Sequence, residues 1–399
     1  VDQLLIDNLA REKHLIIYGS SKQGKTSLRK FCLKDTDYII VQCASKWTLE
    51  EILSNILKRA GFLVAQSERK TITGRNKIIA SIKASIFGVG SEVGGEKEVT
   101  NSSEVTSAEL ELDPSDVNDV IAALDRIKFK RYIVLEDFHY LPIDTQKDFA
   151  VALKAFHEGS RNCFIIIGVW LEENRLVVYN GDLTGRVVAI NADQWTDAEL
   201  REVVEKGEEL LNLHFAEGFK ATLIHESRGS VFVVQEASRQ ACLTNGVTHT
   251  LAEPRELGSN LDASAVVKGI VNQQGARYMS FLNQFAAGFQ DTRLEMYKWL
   301  LYPILAADVA KLESGFTQAE LRRALREHHP QGAALNSGNV TQALQAVASL
   351  QVAKDIKPII LDYDQTNLTL NVVDRGFVIW LNNQDKNALI EELGLPAPA

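Results

Sequence analysis

The sequence predicts an α/β fold: a parallel sheet with helices, followed by a helical lid and a C-terminal winged helix. Three observations carry this. Short apolar runs alternate with helix-patterned stretches through the first half of the chain. From Thr196 onward the pattern turns mostly helical. Near the C-terminus, two helix patterns precede two strand patterns placed around Asp364-Gln365-Thr366-Asn367, the order of a winged helix-turn-helix.

Leu15–Tyr18 ends at Gly19 and reads as a buried parallel strand, with a helix over Lys25–Leu33 behind it. Tyr38–Ala44 is a second strand, and Thr48 supplies a hydroxyl N-cap for a helix that ends at Gly61. Between Phe62 and Asp113 the periodicity fades. Within that stretch Gly88–Ser107, rich in Gly, Ser, Thr, Glu and Val, reads as an irregular insertion. Asp113–Asp116 starts a helix over Val117–Ile127, and another spans Thr145–Glu158. Arg131–Leu135, Cys163–Val169 and Val187–Ile190 bring the strands to five. Helices over Asp197–Leu211, Phe215–Glu226 and Val231–Leu243 form the lid, and more follow at Ala263–Val271 and Thr292–Leu305. The last segment offers helices Thr317–His328 and Val340–Leu350, strands Pro358–Tyr363 and Leu368–Val373, and a helix from about Asp374. The expected domains are 1–195 for the core with its insertion at about 62–113, 196–260 for the lid, and 261–399 for a helical linker and winged helix.

With 399 residues, 45% hydrophobic and 24% charged, the composition is that of a soluble globular protein of two or three domains. A net charge of −9 argues against a surface coated in nucleic acid. Cys32, Cys43, Cys163 and Cys242 show no metal spacing and read as reduced residues of a cytoplasmic protein. No apolar run approaches the ~18–20 residues of a membrane span, and no signal peptide is present. The chain starts at Val1 directly before a helix-like stretch, so it is expected to be part of a longer polypeptide.

Gly19-Ser20-Ser21-Lys22-Gln23-Gly24-Lys25-Thr26 matches the G-x-x-x-x-G-K-[ST] phosphate loop and sits between strand and helix. Its glycines let the backbone curl so that amides face phosphate, and the helix N-terminus adds partial positive charge. Lys25 is expected to reach the β- and γ-phosphates, Thr26 to offer its hydroxyl to Mg²⁺, and Ser27 to extend the cradle. Glu136-Asp137 ends the third strand, where an acidic residue holds Mg²⁺ and a second polarises the attacking water. The order Glu then Asp leaves two assignments open. Either Asp137 is the metal carboxylate, or Glu136 is and Asp137 serves as a short base.

Arg186, before the fifth strand, reads either as an arginine delivered to a neighbouring subunit's γ-phosphate or as a surface partner of Asp182. Asn174 is either a water-orienting residue or a helix start, and Arg228 either a phosphate ligand from the lid or a surface residue. His139 fits a packed histidine better than a catalytic one, and His328-His329 marks a helix end. Arg322, Arg323 and Arg326 give the first winged-helix helix a basic edge. The second carries Gln342 and Gln345 but no cation, which favours a structural or regulatory role over DNA reading.

Taken together, the loop Gly19–Thr26, the Glu136-Asp137 strand end, Arg186, the lid and the winged helix resemble the AAA+/STAND ATPases over most of the chain. The stretch Ile133–Gly168 is also similar to bacterial ATP-binding proteins. The resemblance implies ATP and ADP as ligands with Mg²⁺, a homo-oligomeric active state, and a fused or separate effector. Some members of the group act in anti-phage defence. Two departures stand out. Val372-Val373-Asp374 takes the place of a Met-His-Asp triplet whose histidine touches nucleotide, and Gly229-Ser230-Val231 lacks the proline of a Gly-x-Pro. The sequence therefore favours a nucleotide-dependent switch, with a DNA-handling AAA+ ATPase and a scaffold that never turns over as the rivals.

Overall fold

The sheet forms on apolar runs, and two of them, His14–Tyr18 and Phe164–Ile167, are buried end to end. The computed structural model describes residues 1–64, 70–72, 75–82, 109–290 and 292–396. The chain divides into two units: Val1–Ile17, Leu28–Gly168 and Asn174–Ile190 make the first, and Tyr18–Ser27, Val169–Glu173 and Asn191–Ala399 the second.

The first unit opens with α1 (Asp2–Ala10) and β1 (His14–Tyr18), every residue of β1 being buried. Helix α2 (Lys25–Cys32) leads to β2 (Tyr38–Gln42). Helix α3 (Leu49–Ala60) starts on a capping box between Thr48 and Glu51 and stops at Gly61, whose φ of 113° suits glycine. Next come β3 (Phe62–Val64), β4 (Lys70–Ile72), β5 (Arg75–Ile82) and β6 (Glu109–Leu112), all paired antiparallel through β5. The described part of 62–113 is thus strand-forming rather than irregular. Its strands lie outside the main sheet, where a short antiparallel pattern is easily hidden by flanking turns. Gly88–Ser107 lies outside the described residues.

Helix α4 (Val117–Arg126), capped by Asp116, precedes β7 (Tyr132–Glu136), α5 (Ile143–Gly159), β8 (Phe164–Ile167), α6 (Arg175–Tyr179) and β9 (Val187–Asn191). The sheet order is β2-β7-β8-β1-β9, with β2, β7, β8 and β1 in parallel register. The chain leaves β1 toward β2 but leaves β8 toward β9 on the opposite side. The C-terminal end of β1 is therefore a topological switch point, the place where open α/β sheets bind ligands. The phosphate loop follows that end, and the fold is the expected P-loop type of α/β architecture.

In the second unit, α7 (Asp197–Leu211) starts on a Thr196–Glu199 capping box. Strand β10 (Leu213–Phe215) later pairs with β11 (Arg255–Leu257), and between them lie α8 (Glu217–Glu226) and α9 (Val231–Thr244). Helices α10 (Ala263–Asn272), α11 (Gly275–Ala287), α12 (Met296–Ala306) and α13 (Val309–Ser314) follow. Next are β12 (Phe316–Thr317), α14 (Gln318–His328), α15 (Ser337–Gln345), α16 (Val347–Ala353), β13 (Leu361–Asp364), β14 (Thr369–Val372), α17 (Arg375–Asn382) and α18 (Lys386–Glu392). The last three-stranded sheet has the order β12-β14-β13.

Two details depart from the sequence reading. The helix expected over Val340–Leu350 is two, meeting at Ala346. Helix α11, which the periodicity reading passes over, buries Tyr278, Phe281, Leu282 and Phe285 at helical spacing.

Candidate functional site

Gly19 follows β1 with φ +140°, and a Cβ there would stand 3.1 Å from both the backbone nitrogen and the Cβ of Asp193. Only glycine fits that turn and that approach. Lys25, the first residue of α2, is buried and folds its Nζ back onto the carbonyls of Gly19 at 2.9 Å and Ser20 at 2.5 Å. Thr26 and Ser27 are exposed on the first turn of α2, where helix-start amides lack intrahelical partners. Curled backbone, lysine and helix start are the chemistry of an anion cradle.

Residues 191–399 meet this loop at almost every position. Ser20 donates its N–H and its hydroxyl to the two carboxylate oxygens of Asp193, each at 3.1 Å. Ser21 N–H donates to the Val373 carbonyl at 3.0 Å. Lys22 Nζ reaches Gln274 Oε1 at 3.1 Å and stands 4.1 Å from the Phe232 ring centroid. Burial pushes the Lys22 ammonium below its ordinary pKa, and the Asp374 charge opposes that shift. Gln23 donates Nε2 to the Gly229 carbonyl at 3.0 Å and accepts the Val231 N–H at 3.2 Å, while the Trp195 indole donates to the Gln23 carbonyl at 3.4 Å. Gly24, at φ +84°, turns the chain into α2.

Arg375, at the start of α17, completes the arrangement. Its guanidinium pairs with Asp193 at 3.0 Å and donates to the Arg228 carbonyl at 2.8 Å. Asp374 caps α17 and accepts from Arg277 and Tyr278 of α11. Sequence reading named the loop residues but missed Asp193, Gln274, Arg277 and Arg375. Asp193 lies 173 residues from Ser20 and Gln274 lies 252 from Lys22, and no local pattern marks such pairs.

In the first unit, Glu136 and Asp137 have different surroundings. Glu136 ends β7, and its carboxylate takes Arg29 Nε at 3.2 Å. Arg29 is only 2% exposed and lies 4.5 Å from the Tyr38 ring centroid. Asp137 turns into the left-handed region at φ 59° and accepts from Gln42 Nε2. Burial, followed by the charges of Asp137 and Glu136, holds the neighbouring Cys43 thiol well above its usual range. Glu136 is thus engaged by a buried guanidinium and the half-buried Asp137 by an amide.

Among the described residues no group of three or more His, Cys, Asp or Glu side chains forms a metal cage. Mg²⁺ keeps several waters and comes to phosphate sites on the substrate, with one or two protein oxygens. Thr26, Glu136 and Asp137 each carry an oxygen of the kind Mg²⁺ takes, and the ion would supply charge neutralisation to the phosphates.

Arg186 and His329 have partners for their side chains. Arg186 pairs with Glu158 at 2.7 Å and donates to the Asp182 carbonyl, while the Asp182 carboxylate takes Lys154 at 2.6 Å. Asn174 is the N-cap residue of α6. His139 is buried with its ring 3.9 Å from that of Tyr140. His329 is held by the Leu294 carbonyl at 2.8 Å and by Gln331 N–H, as a structural histidine is.

No protein-family model matches the chain, and no curated protein does. Several solved structures are similar across nearly its whole length. A Walker-type ATPase of Pyrococcus abyssi aligns at 13% identity and TM-score 0.46, covering 95% of this chain and 94% of that one. The Orc1 protein of Aeropyrum pernix, solved in complex with DNA, aligns at 12% identity and TM-score 0.41, covering 98% and 91%. A RuvB variant of Thermotoga maritima gives 11% identity and TM-score 0.38, covering 100% and 95%. Similarity this low assigns no role to any residue. The functional reading rests on the loop's own geometry. No helix among the described residues is long and apolar enough to cross a membrane.

Proposed function

We propose that this chain is an ATP-binding STAND-like switch: it binds and slowly hydrolyses ATP with Mg²⁺, and its nucleotide state controls self-association and a fused or partner effector. A role in bacterial anti-phage defence belongs to the same reading. The observation that carries it is the grip of residues 191–399 on the phosphate loop, above all Val373 on Ser21 and Arg375 on the Asp193 that holds Ser20. A polyphosphate that draws on the N–H groups of Ser20 and Ser21 competes with Asp193 and Val373 for them. Nucleotide then has what a switch requires, a different affinity for two arrangements.

Within this reading Gly19–Ser27 hold the phosphates, Lys25 neutralises their charge, and Asp137 holds the cation or its attacking water. Arg186 is the residue offered to a neighbouring subunit, at the expense of its bond to Glu158. The DNA-handling alternative has less support, because the exposed residues of α15, among them Ser337, Gln342 and Gln345, are all uncharged.

Lys25→Ala is the direct test. It is expected to abolish MgATP binding by titration calorimetry and ATP-dependent assembly by sedimentation. Normal assembly of that variant under saturating MgATP overturns the proposal.

A further inference from the structure

The nucleotide reading leaves open how a phosphate in the loop is felt at α17, since the loop's backbone holds Val373 directly and Arg375 only through Asp193. Two peptide groups answer this. The Gly19–Ser20 peptide accepts Lys25 Nζ on its carbonyl and donates its N–H to Asp193, the partner of Arg375. The Ser20–Ser21 peptide likewise accepts Lys25 Nζ on its carbonyl and donates its N–H to Val373. Each peptide is thus a bridge with the P-loop lysine on one side and the C-terminal segment on the other.

We propose that these two peptides, with Asp193 and Arg375, form a relay that ties the position of Lys25 to the grip on α17. This rests on the reading of the loop as a nucleotide site. A cation on a peptide carbonyl polarises the whole amide and strengthens the bond its N–H makes, by about 10–30% per bond in condensed-phase estimates. When phosphate oxygens draw Lys25 away, both N–H donors weaken together and α17 is held less tightly. Asp193 and Arg375 are positioning residues in this scheme. They act on the phosphate site through Ser20 rather than by touching nucleotide.

The arrangement around the pair is built for this contact. Asp193 is 9% exposed at its side chain and Arg375 28%, so their attraction is partly shielded from solvent. Arg375 also bonds to the Asp193 carbonyl and to that of Arg228, which fixes its fork. Gly229, at φ +72°, leaves room for the guanidinium, since a Cβ there would stand 3.2 Å from Nη1. Arg277 and Tyr278 fix Asp374, the residue between the two contacts.

Coupling is reciprocal, so whatever phosphate does to the grip, loosening the grip does to phosphate affinity. Arg375→Gln and Asp193→Asn are each expected to tighten MgATP binding about fivefold or more, the lower end of common coupling strengths. The double variant is expected to gain no more than either single one, because both break one network. In the unaltered chain, MgATP is expected to speed amide hydrogen exchange across α17. Unchanged or weaker MgATP binding by Arg375→Gln overturns the relay, and weaker binding marks Arg375 as a direct phosphate ligand. Exchange across α17 that ignores MgATP overturns it too, and that measurement needs no variant to fold. If the unaltered chain binds no MgATP, the nucleotide reading fails and the relay falls with it. If it binds, and Lys25→Ala does not, an indifferent Arg375→Gln removes the relay alone.

Discussion

Two arginine–carboxylate pairs differ in how they treat water. Arg29 and Glu136 meet in the first unit with side chains 2% and 12% exposed, and the guanidinium lies over Tyr38. Arg375 and Asp193 meet in the second with side chains 28% and 9% exposed. The first pair is sealed. Its charges were stripped of water on folding, and removing either leaves the other in a place that tolerates no lone charge. The second keeps one edge in solvent, so water can take over part of what the partner gives. Burial of the arginine, more than distance, makes one a fixed pin between α2 and β7 and the other a clasp that can release.

The largest effect expected from this contrast is on stability. Arg29→Met is expected to cost about 3–5 kcal/mol, read as a drop in the urea midpoint at unchanged slope. Arg375→Gln is expected to cost less, about 1 kcal/mol, because Arg375 is 28% exposed and Asp193 keeps the N–H and hydroxyl of Ser20. Similar losses for both break the comparison, because burial would then not be what separates them.

A second buried base in the first unit sharpens it. His14, in β1, is 1% exposed, and its ring centroid lies 5.3 Å from that of His157. Burial, then the nearby His157, pushes its pKa down to about 3. The unfolded histidine takes a proton near pH 6.5, the folded one only near 3, so stability falls as pH drops through 6.5 and continues falling toward 3. From about pH 7.5 to 5.5 the loss from this group is about 1.4 kcal/mol. His14→Leu is expected to flatten that limb of a stability-against-pH curve, and an unaltered limb assigns the acid sensitivity elsewhere.

The sequence made the loop and the sheet legible for the same reason: both are local. Gly19, Gly24, Lys25 and Thr26 stand at fixed spacing between an apolar run and a helix start, and Thr48 with Glu51 announces α3. What was illegible depends on distant partners. Nothing near Asp193 marks it as the acceptor for Ser20, and nothing near Arg375 points back 182 residues to Asp193. The two carboxylates of Glu136-Asp137 look alike in sequence, and nothing local announces that Arg29 pairs with the first of them. Helix α11 is a different failure. Tyr278, Phe281, Leu282 and Phe285 carry a readable helical period, and Gly275 beside two glutamines drew attention from it.

The smallest effect is expected where the chain departs from the family it resembles. A proline is expected at Val231 and is absent. Val231 is the first residue of α9 behind the Ser230 N-cap, a position whose backbone suits proline. What proline lacks is the N–H, and here that N–H donates to Gln23 of the phosphate loop at 3.2 Å. Val231→Pro should remove that bond, worth about 0.5–1.5 kcal/mol, while a stiffer unfolded chain returns about 0.4–1 kcal/mol. Gln23 keeps its bond to the Gly229 carbonyl, so the fold is expected to change in stability by about 1 kcal/mol at most. A thermal unfolding curve for this variant separates two accounts of the missing proline. A near-neutral result means that the donor at this position serves the loop's tether and little else. A loss of several kcal/mol means that Val231 holds α9 itself, by side-chain packing that proline cannot replace.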